Sequence, residues 1–218
     1  MFKSLVTCLA LSLSLAGAAL AAGAPPAPDA ALRNATEEVR GMIRDHYAEY
    51  RADQAKFYQA IDQVVVPHFD VPYIAQLVLA RNWRTATPEQ RARFAQAFKD
   101  MLVRSYANAM LDNYNSVKIA WQPARLAPGA DDATVVSTLT RDNGQVYTIG
   151  FRVHLVNGDW KIYDLNIENI SLVTNFRAQI NAEIKRTSLD DVIARMEKGE
   201  FKSSPVQSRP QSQNASEP

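Results

Sequence analysis

Between Val117 and Ile167 the apolar residues of this chain fall on alternate positions, and on either side of that stretch they recur at three- and four-residue steps. Alternation puts every second side chain on one face of a strand, whereas the wider step puts them along one stripe of a helix. Helices, then strands joined by short turns, then helices again leave few ways of burying both kinds of surface. The fold class expected is α+β: a helical N-terminal half with a long helix packed on a four-stranded antiparallel meander sheet, and further C-terminal helices.

The strands are expected at 117–122, 133–141, 145–155 and 160–167. Asp142-Asn143-Gly144 and Asn157-Gly158-Asp159 separate the last three, and Asn-Gly accepts the positive φ angles of a tight hairpin turn. The third strand alternates most cleanly. Tyr147, Ile149, Phe151, Val153 and Leu155 point one way, and Thr148, Gly150, Arg152 and His154 the other.

In the helical half, Leu32, Ala35, Val39, Met42, Ile43, Tyr47 and Tyr50 share one face. Phe57, Ile61, Val64 and Val65 continue in a second helix that Pro67 stops, and a short helix covers 71–80. Thr87-Pro88-Glu89-Gln90 has the form of a helix start: Thr87 caps, Pro88 suits the first helical position and Gln90 closes a capping box. From there a helix roughly 40 Å long runs to about Tyr114, with Phe94, Phe98, Met101, Leu102, Tyr106, Ala109 and Met110 along its stripe. Two more helices are expected over 172–185 and 189–198.

The ends read differently. Lys3, an apolar run from Leu5 to Leu20, and Ala19-Leu20-Ala21 match an export signal, so 1–22 is expected to be a cleaved signal peptide and the mature protein periplasmic. Residues 23–28 read as a linker, 29–202 as a single domain and 203–218 as a disordered tail too polar to bury itself. Cys8, the one cysteine, lies in the signal, so the mature chain has no disulfide, thiol nucleophile or Cys-ligated metal. With 24 basic against 23 acidic residues there is no overall basic field, which argues against nucleic acid as a partner.

Catalytic chemistry is thin. His46, His68 and His154 are scattered without metal-ligand spacing, and there is no phosphate loop, nucleophile elbow or paired-His motif. His154 falls on the polar face of its strand and reads as an exposed surface residue. Asp164 and Glu168 are the acids best placed for general-base work, against structural roles at the sheet and at a strand end. Expected catalytic residues are none, expected metal ligands none, and the chain reads as no enzyme. The stripes of the long helix and the third strand either form each other's core or wall a ligand cavity.

Two stretches carry a resemblance. Residues 64–114 contain P-x-F-D, V-L-x-x-x-W, A-T-P-E-Q-R and F-x-x-x-F ahead of a tyrosine, and residues 158–180 contain W-K-x-Y-D and S-L-V-x-N-F-R. In order and spacing they resemble the MlaC family, also called the toluene-tolerance or ABC-transporter auxiliary family, over about Leu32 to Met196. Arg81 stands where the family usually has Gly, and Asn169 likewise. The family's closing segment appears only loosely, from Thr187 to Ile193.

The resemblance implies a soluble, monomeric periplasmic shuttle. It would move phospholipid between an outer-membrane lipoprotein complex with its porin and an inner-membrane ABC transporter bearing an MCE-domain protein, maintaining outer-membrane lipid asymmetry. It implies no cofactor, phospholipid as cargo, and acyl chains held in an apolar cavity between sheet and helices. On that basis Phe94, Phe98, Leu102, Tyr106 and Met110 are expected on one wall and Tyr147, Ile149, Phe151 and Val153 on the sheet side. Tyr163, Leu165, Ile167, Ile170, Val173, Phe176 and Ile180 would close the cavity, and Val66, Phe69, Ile74 and Val78 would sit near its mouth. Tyr106, Phe151, Ile167 and Ile170 are the leading candidates. Arg81, Arg84 and Lys99 either meet anionic groups or are solvated helix faces. The alternatives are a periplasmic carrier of another apolar ligand, a ketosteroid-isomerase-like enzyme using Asp164, and a protein adaptor.

Overall fold

The computed structural model describes residues 25–127 and 129–201. The expected signal peptide (1–22) and the expected tail (203–218) lie outside the described residues. Helix α1 spans Pro28–Ala52, with non-helical backbone angles at His46. Asp53 ends it and caps α2 (Gln54–Ala60), accepting from the amides of Ala55 and Lys56. The chain then loosens into a π-helical turn, Ile61–Val65, and tightens into a 3-10 turn, Val66–His68, around Pro67. Asp70 caps α3 (Val71–Leu79), and α4 (Arg81–Thr85) follows directly. The long helix α5 is Pro88–Asn113, and its Thr87–Gln90 capping box is formed as the residues predict.

Strands β1 (Val117–Trp121), β2 (Asp132–Arg141), β3 (Val146–Val156) and β4 (Asp159–Ile167) form the expected antiparallel meander. A fifth strand, β5 (Ile170–Ser171), pairs back on the end of β4. Glu168 and Asn169, at φ 48° and 64°, make that reversal. Two residues are too few for a period, so the sequence pattern does not register them. Helices α6 (Leu172–Arg186) and α7 (Leu189–Glu197) complete the fold. The five residues of α4 are another element too short to read.

Three buried clusters hold these parts together. A helical core joins Val78 and Leu79 of α3, Phe94, Phe98 and Met101 of α5, Phe176 and Ile180 of α6, and Val192, Ile193 and Met196 of α7; it contains no strand residue. A second cluster places Leu32 of α1 on Ala133, Val135, Val153, Trp160 and Ile162 of the sheet. A third packs Ile43 and Tyr50 of α1 and Phe57 of α2 against Ala107 and Leu111 of α5. The stripes of α5 and β3 are therefore not each other's core.

Candidate functional site

One face of the sheet is apolar but for Ser137. Register puts Trp121, Ser137, Ile149, Ile167 and Ile170 in one row across all five strands, with Leu139 and Tyr147 beside it. On the same face Val135 pairs into Phe151 and Leu165, and Ala133 into Val153 and Ile162. The two ends of this face are treated differently. Toward the β3–β4 hairpin, Val153 is fully buried under the start of α1, and Trp160 donates its indole N–H to the Pro26 carbonyl at 2.8 Å. Toward β5, Tyr147, Ile149 and Ile167 are half-buried and Ile170 is 37% exposed, and none of them joins a buried cluster.

Tyr106 of α5 is also outside all three clusters and is 41% exposed. Yet lost hydration holds its phenol above the usual value. The ring is thus partly screened by protein while water still reaches it. Large apolar groups left uncovered together in this way mark binding surfaces.

The twenty expected wall residues divide by place. Val78, Phe94, Phe98, Val173, Phe176 and Ile180 are buried in the helical core, with Ile74 and Leu102 against its side. Val153 is buried in the sheet cluster, and Phe69, Phe151 and Leu165 flank it. Val66 and Met110 flank the third cluster. Tyr106, Tyr147, Ile149, Ile167 and Ile170 remain. Tyr163 is a correction: it lies on the opposite face. Arg152 pairs with Asp164 but Val153 with Ile162, so Tyr163 is an extra residue in a β-bulge that shifts the alternation.

That opposite face is polar, with Asp132, Thr134 and Arg152 exposed along it. Tyr163 donates to Asp132 at 2.6 Å and lies under the Arg152 guanidinium. Burial first, and the bond to Asp132 second, push its phenol up to about 12. His154 is not the exposed residue expected. Its Nε2 lies 2.9 Å from Asp70, and its ring stacks on Tyr73. Asp70 is 84 positions away along the chain, which no local pattern reports. Asp164 is buried and accepts from Ser171 Oγ at 2.7 Å and from the Val173 amide at 3.1 Å, anchoring the start of α6. Glu168 accepts from the Thr148 amide. Both acids thus hold structure, and Asp164 pairs with Arg152 on the face away from Ile149 and Ile167. Among the described residues no group of three or more His, Cys, Asp or Glu is placed to hold a metal.

Other positions shift by small amounts. The backbone that favours glycine is at Ala80, φ 51°, and not at Arg81, which begins α4. Arg81 and Arg84 are exposed, while Lys99 is paired with Asp62 and Asp100, each at 2.7 Å. A depression of about 230 Å³ lies between Leu32, His68, Trp160 and Lys161, at the closed end of the apolar face. It falls below the roughly 300 Å³ at which ligand pockets begin and is remote from Ile167 and Ile170 in the register. Ser137 is the residue that pattern reading passes over: it is the one hydroxyl among the inward positions Ala133, Val135 and Leu139 of β2.

A family model described as MlaC protein matches residues 33–198. The chain belongs to the MlaC family. It is similar to the toluene tolerance protein ttg2D of Pseudomonas putida, 29% identical over 181 residues and 83% of each chain. It is also similar to the intermembrane phospholipid transport system binding protein MlaC of Haemophilus influenzae, 20% identical over 177 residues, 80% of this chain and 82% of that one. Among solved structures it matches a phospholipid-binding protein of Ralstonia solanacearum in complex with a phospholipid. The TM-score is 0.72 at 29% identity, covering 80% of this chain and 97% of the other. The MlaC-family match runs from within α1 to the end of α7, so the open end of the sheet face belongs to the shared domain.

Proposed function

We propose that this chain is a periplasmic phospholipid carrier. Its signal peptide is removed on export, and it moves phospholipid between an outer-membrane lipoprotein complex and an inner-membrane MCE/ABC transporter, maintaining outer-membrane lipid asymmetry. The observation that carries the reading is the uncovered set Tyr106, Tyr147, Ile149, Ile167 and Ile170, which joins no buried cluster in a chain with three of them. Similarity to a solved protein that holds a phospholipid supports it.

The energetics suit that task. Each methylene moved from hydrocarbon to water costs about 0.8 kcal/mol, so two acyl chains in free solution would cost on the order of 20 kcal/mol. A wall as apolar as the bilayer makes loading nearly neutral, and no polar site need recognise the tails. Leu102, Phe151 and Leu165 form the margins of this wall. Phe94, Phe98, Phe176 and Ile180 act as the packed scaffold behind it. The cargo is the phospholipid itself, with no cofactor and no catalysis.

Native mass spectrometry of mature protein purified from its periplasm, beside an organic extract of the same sample, tests this. One phospholipid per chain is expected. Protein that carries no lipid and takes none from phosphatidylethanolamine vesicles would sink the proposal.

A further inference from the structure

Ser137 is 1% exposed, and its Oγ is the buried side-chain polar atom left without a hydrogen-bond partner among the described residues. Buried hydroxyls are nearly always paired, because an unpaired one loses its water and gains nothing. Ser137 stands in the cross-sheet row between Trp121 and Ile149, and Ile149 leads on to Ile167 and Ile170. Its neighbours two positions away on the same face are Val135 and Leu139. None of these side chains offers an acceptor oxygen. The hydroxyl therefore sits where the covered part of the face meets the uncovered part, on the side of the row.

We infer that Ser137 is the polar contact for the bound lipid, its hydroxyl donating to an ester carbonyl oxygen of the acyl chain. This rests on the carrier reading above. An acyl chain is hydrocarbon except at its ester, so its carbonyl is the acceptor it can bring to a lone hydroxyl among apolar groups. A phosphate or ammonium is excluded from that position, since burying a charge beside Trp121 and Ile149 without a counter-charge is strongly unfavourable. The contact fixes how far the lipid enters: the ester stops at Ser137 and the chain continues along Ile149, Ile167 and Ile170. It also makes the cavity discriminate an ester from an ether linkage, whose oxygen is the poorer acceptor. Sites that break a packing rule in this way are where function is expected to outweigh stability.

The test offers full-length mature protein equimolar vesicles of diester and diether phosphatidylethanolamine with the same chains, and reads the bound lipids by native mass spectrometry. Wild type should take the diester about fivefold over the diether, the factor of one hydrogen bond. Ser137→Ala should take both equally. Ser137→Cys, close in shape and a poor donor, should repeat that loss, and Ser137→Thr should restore the preference. Equal uptake by wild type, or a preference unchanged in Ser137→Ala and Ser137→Cys, would overturn the inference while leaving the carrier reading intact. That is the result expected if a buried water satisfies the hydroxyl. Uptake of neither lipid by wild type would remove the carrier reading, and this contact with it.

Discussion

At one end of the sheet's apolar face Val135, Val153, Trp160 and Ile162 are closed off by Leu32 at the start of α1; at the other end Ile149, Ile167 and Ile170 meet no buried cluster. The two ends are built from the same kinds of apolar residue, with the bulge at Tyr163 between them on β4. What separates them is supply. Helix α1 covers the hairpin end, and α3, α6 and α7 pack with the first half of α5 into a core of their own. Among the described residues none of the three clusters takes in Ile149, Ile167 or Ile170 at the β5 end. A sheet face is a demand for cover, and where part of that demand is unmet, residues of ordinary core type are left available to a ligand.

The comparison breaks most visibly in stability. Trp160→Ala removes a buried ring and its bond to Pro26 and is expected to cost about 3–5 kcal/mol. Ile167→Ala, at the uncovered end, should cost less than about 1 kcal/mol because little area leaves the core. Urea denaturation of both variants measures the contrast. Equal losses would mean that the β5 end is packed after all.

Loading should show the reverse. Ile170→Glu puts a carboxylate beside Ile167 at a site already 37% exposed, so the fold should be kept. Lipid uptake from vesicles should fall on the order of a hundredfold, since a charge facing hydrocarbon is not compensated there. A variant that folds and loads normally would remove Ile170 from the wall.

Much of this division could not be read in the chain. The strands, the two Asn-Gly turns and the Thr87 capping box are local, and they stand where their residues predict. The inward face of β3 was legible for the same reason. Its β4 counterpart was not, because the bulge at Tyr163 is one inserted residue whose position tertiary packing decides. Phe98 and Ile149 look alike as apolar positions in periodic segments. Only the arrangement of distant helices makes one a core residue and leaves the other half-buried outside every cluster. His154 likewise gains its partner Asp70 from far along the chain.

Ala80 marks the joint where α3 hands over to α4, with φ 51° and ψ −114°. That region strains any residue with a Cβ, and glycine relieves it. Ala80→Gly should stabilise the protein by about 1 kcal/mol after the entropy glycine adds to the unfolded chain is deducted. The gain should come without a change in lipid uptake, because Val78 and Leu79 beside it belong to the helical core. A gain in stability bought at the expense of uptake would tie this joint to the wall.

Two phenols, one on the polar face of the sheet and one in the proposed wall, give the finest readout. Tyr163, on the polar face, is pushed from 10.0 up to about 12, by burial first and by its bond to Asp132 second. Tyr106, in the proposed wall, is raised by lost hydration alone. In both the folded state favours the neutral ring. The stability each contributes is whole below the unfolded phenol value and is lost as pH rises through the folded one. For Tyr163 the loss therefore runs between about pH 10 and about 12, and Tyr163→Phe should remove it from an alkaline denaturation profile. Lipid binding supplies the finer distinction. Hydrocarbon laid against Tyr106 displaces the water that still reaches it, so its phenol should rise further on loading. Tyr163 lies behind the sheet with its partners unchanged and should not move. Tyrosine ring-carbon NMR titrations with and without bound phospholipid read the two separately. A shift at Tyr163 with none at Tyr106 would mean that the lipid lies on the polar face, and that the uncovered row of isoleucines is not its site.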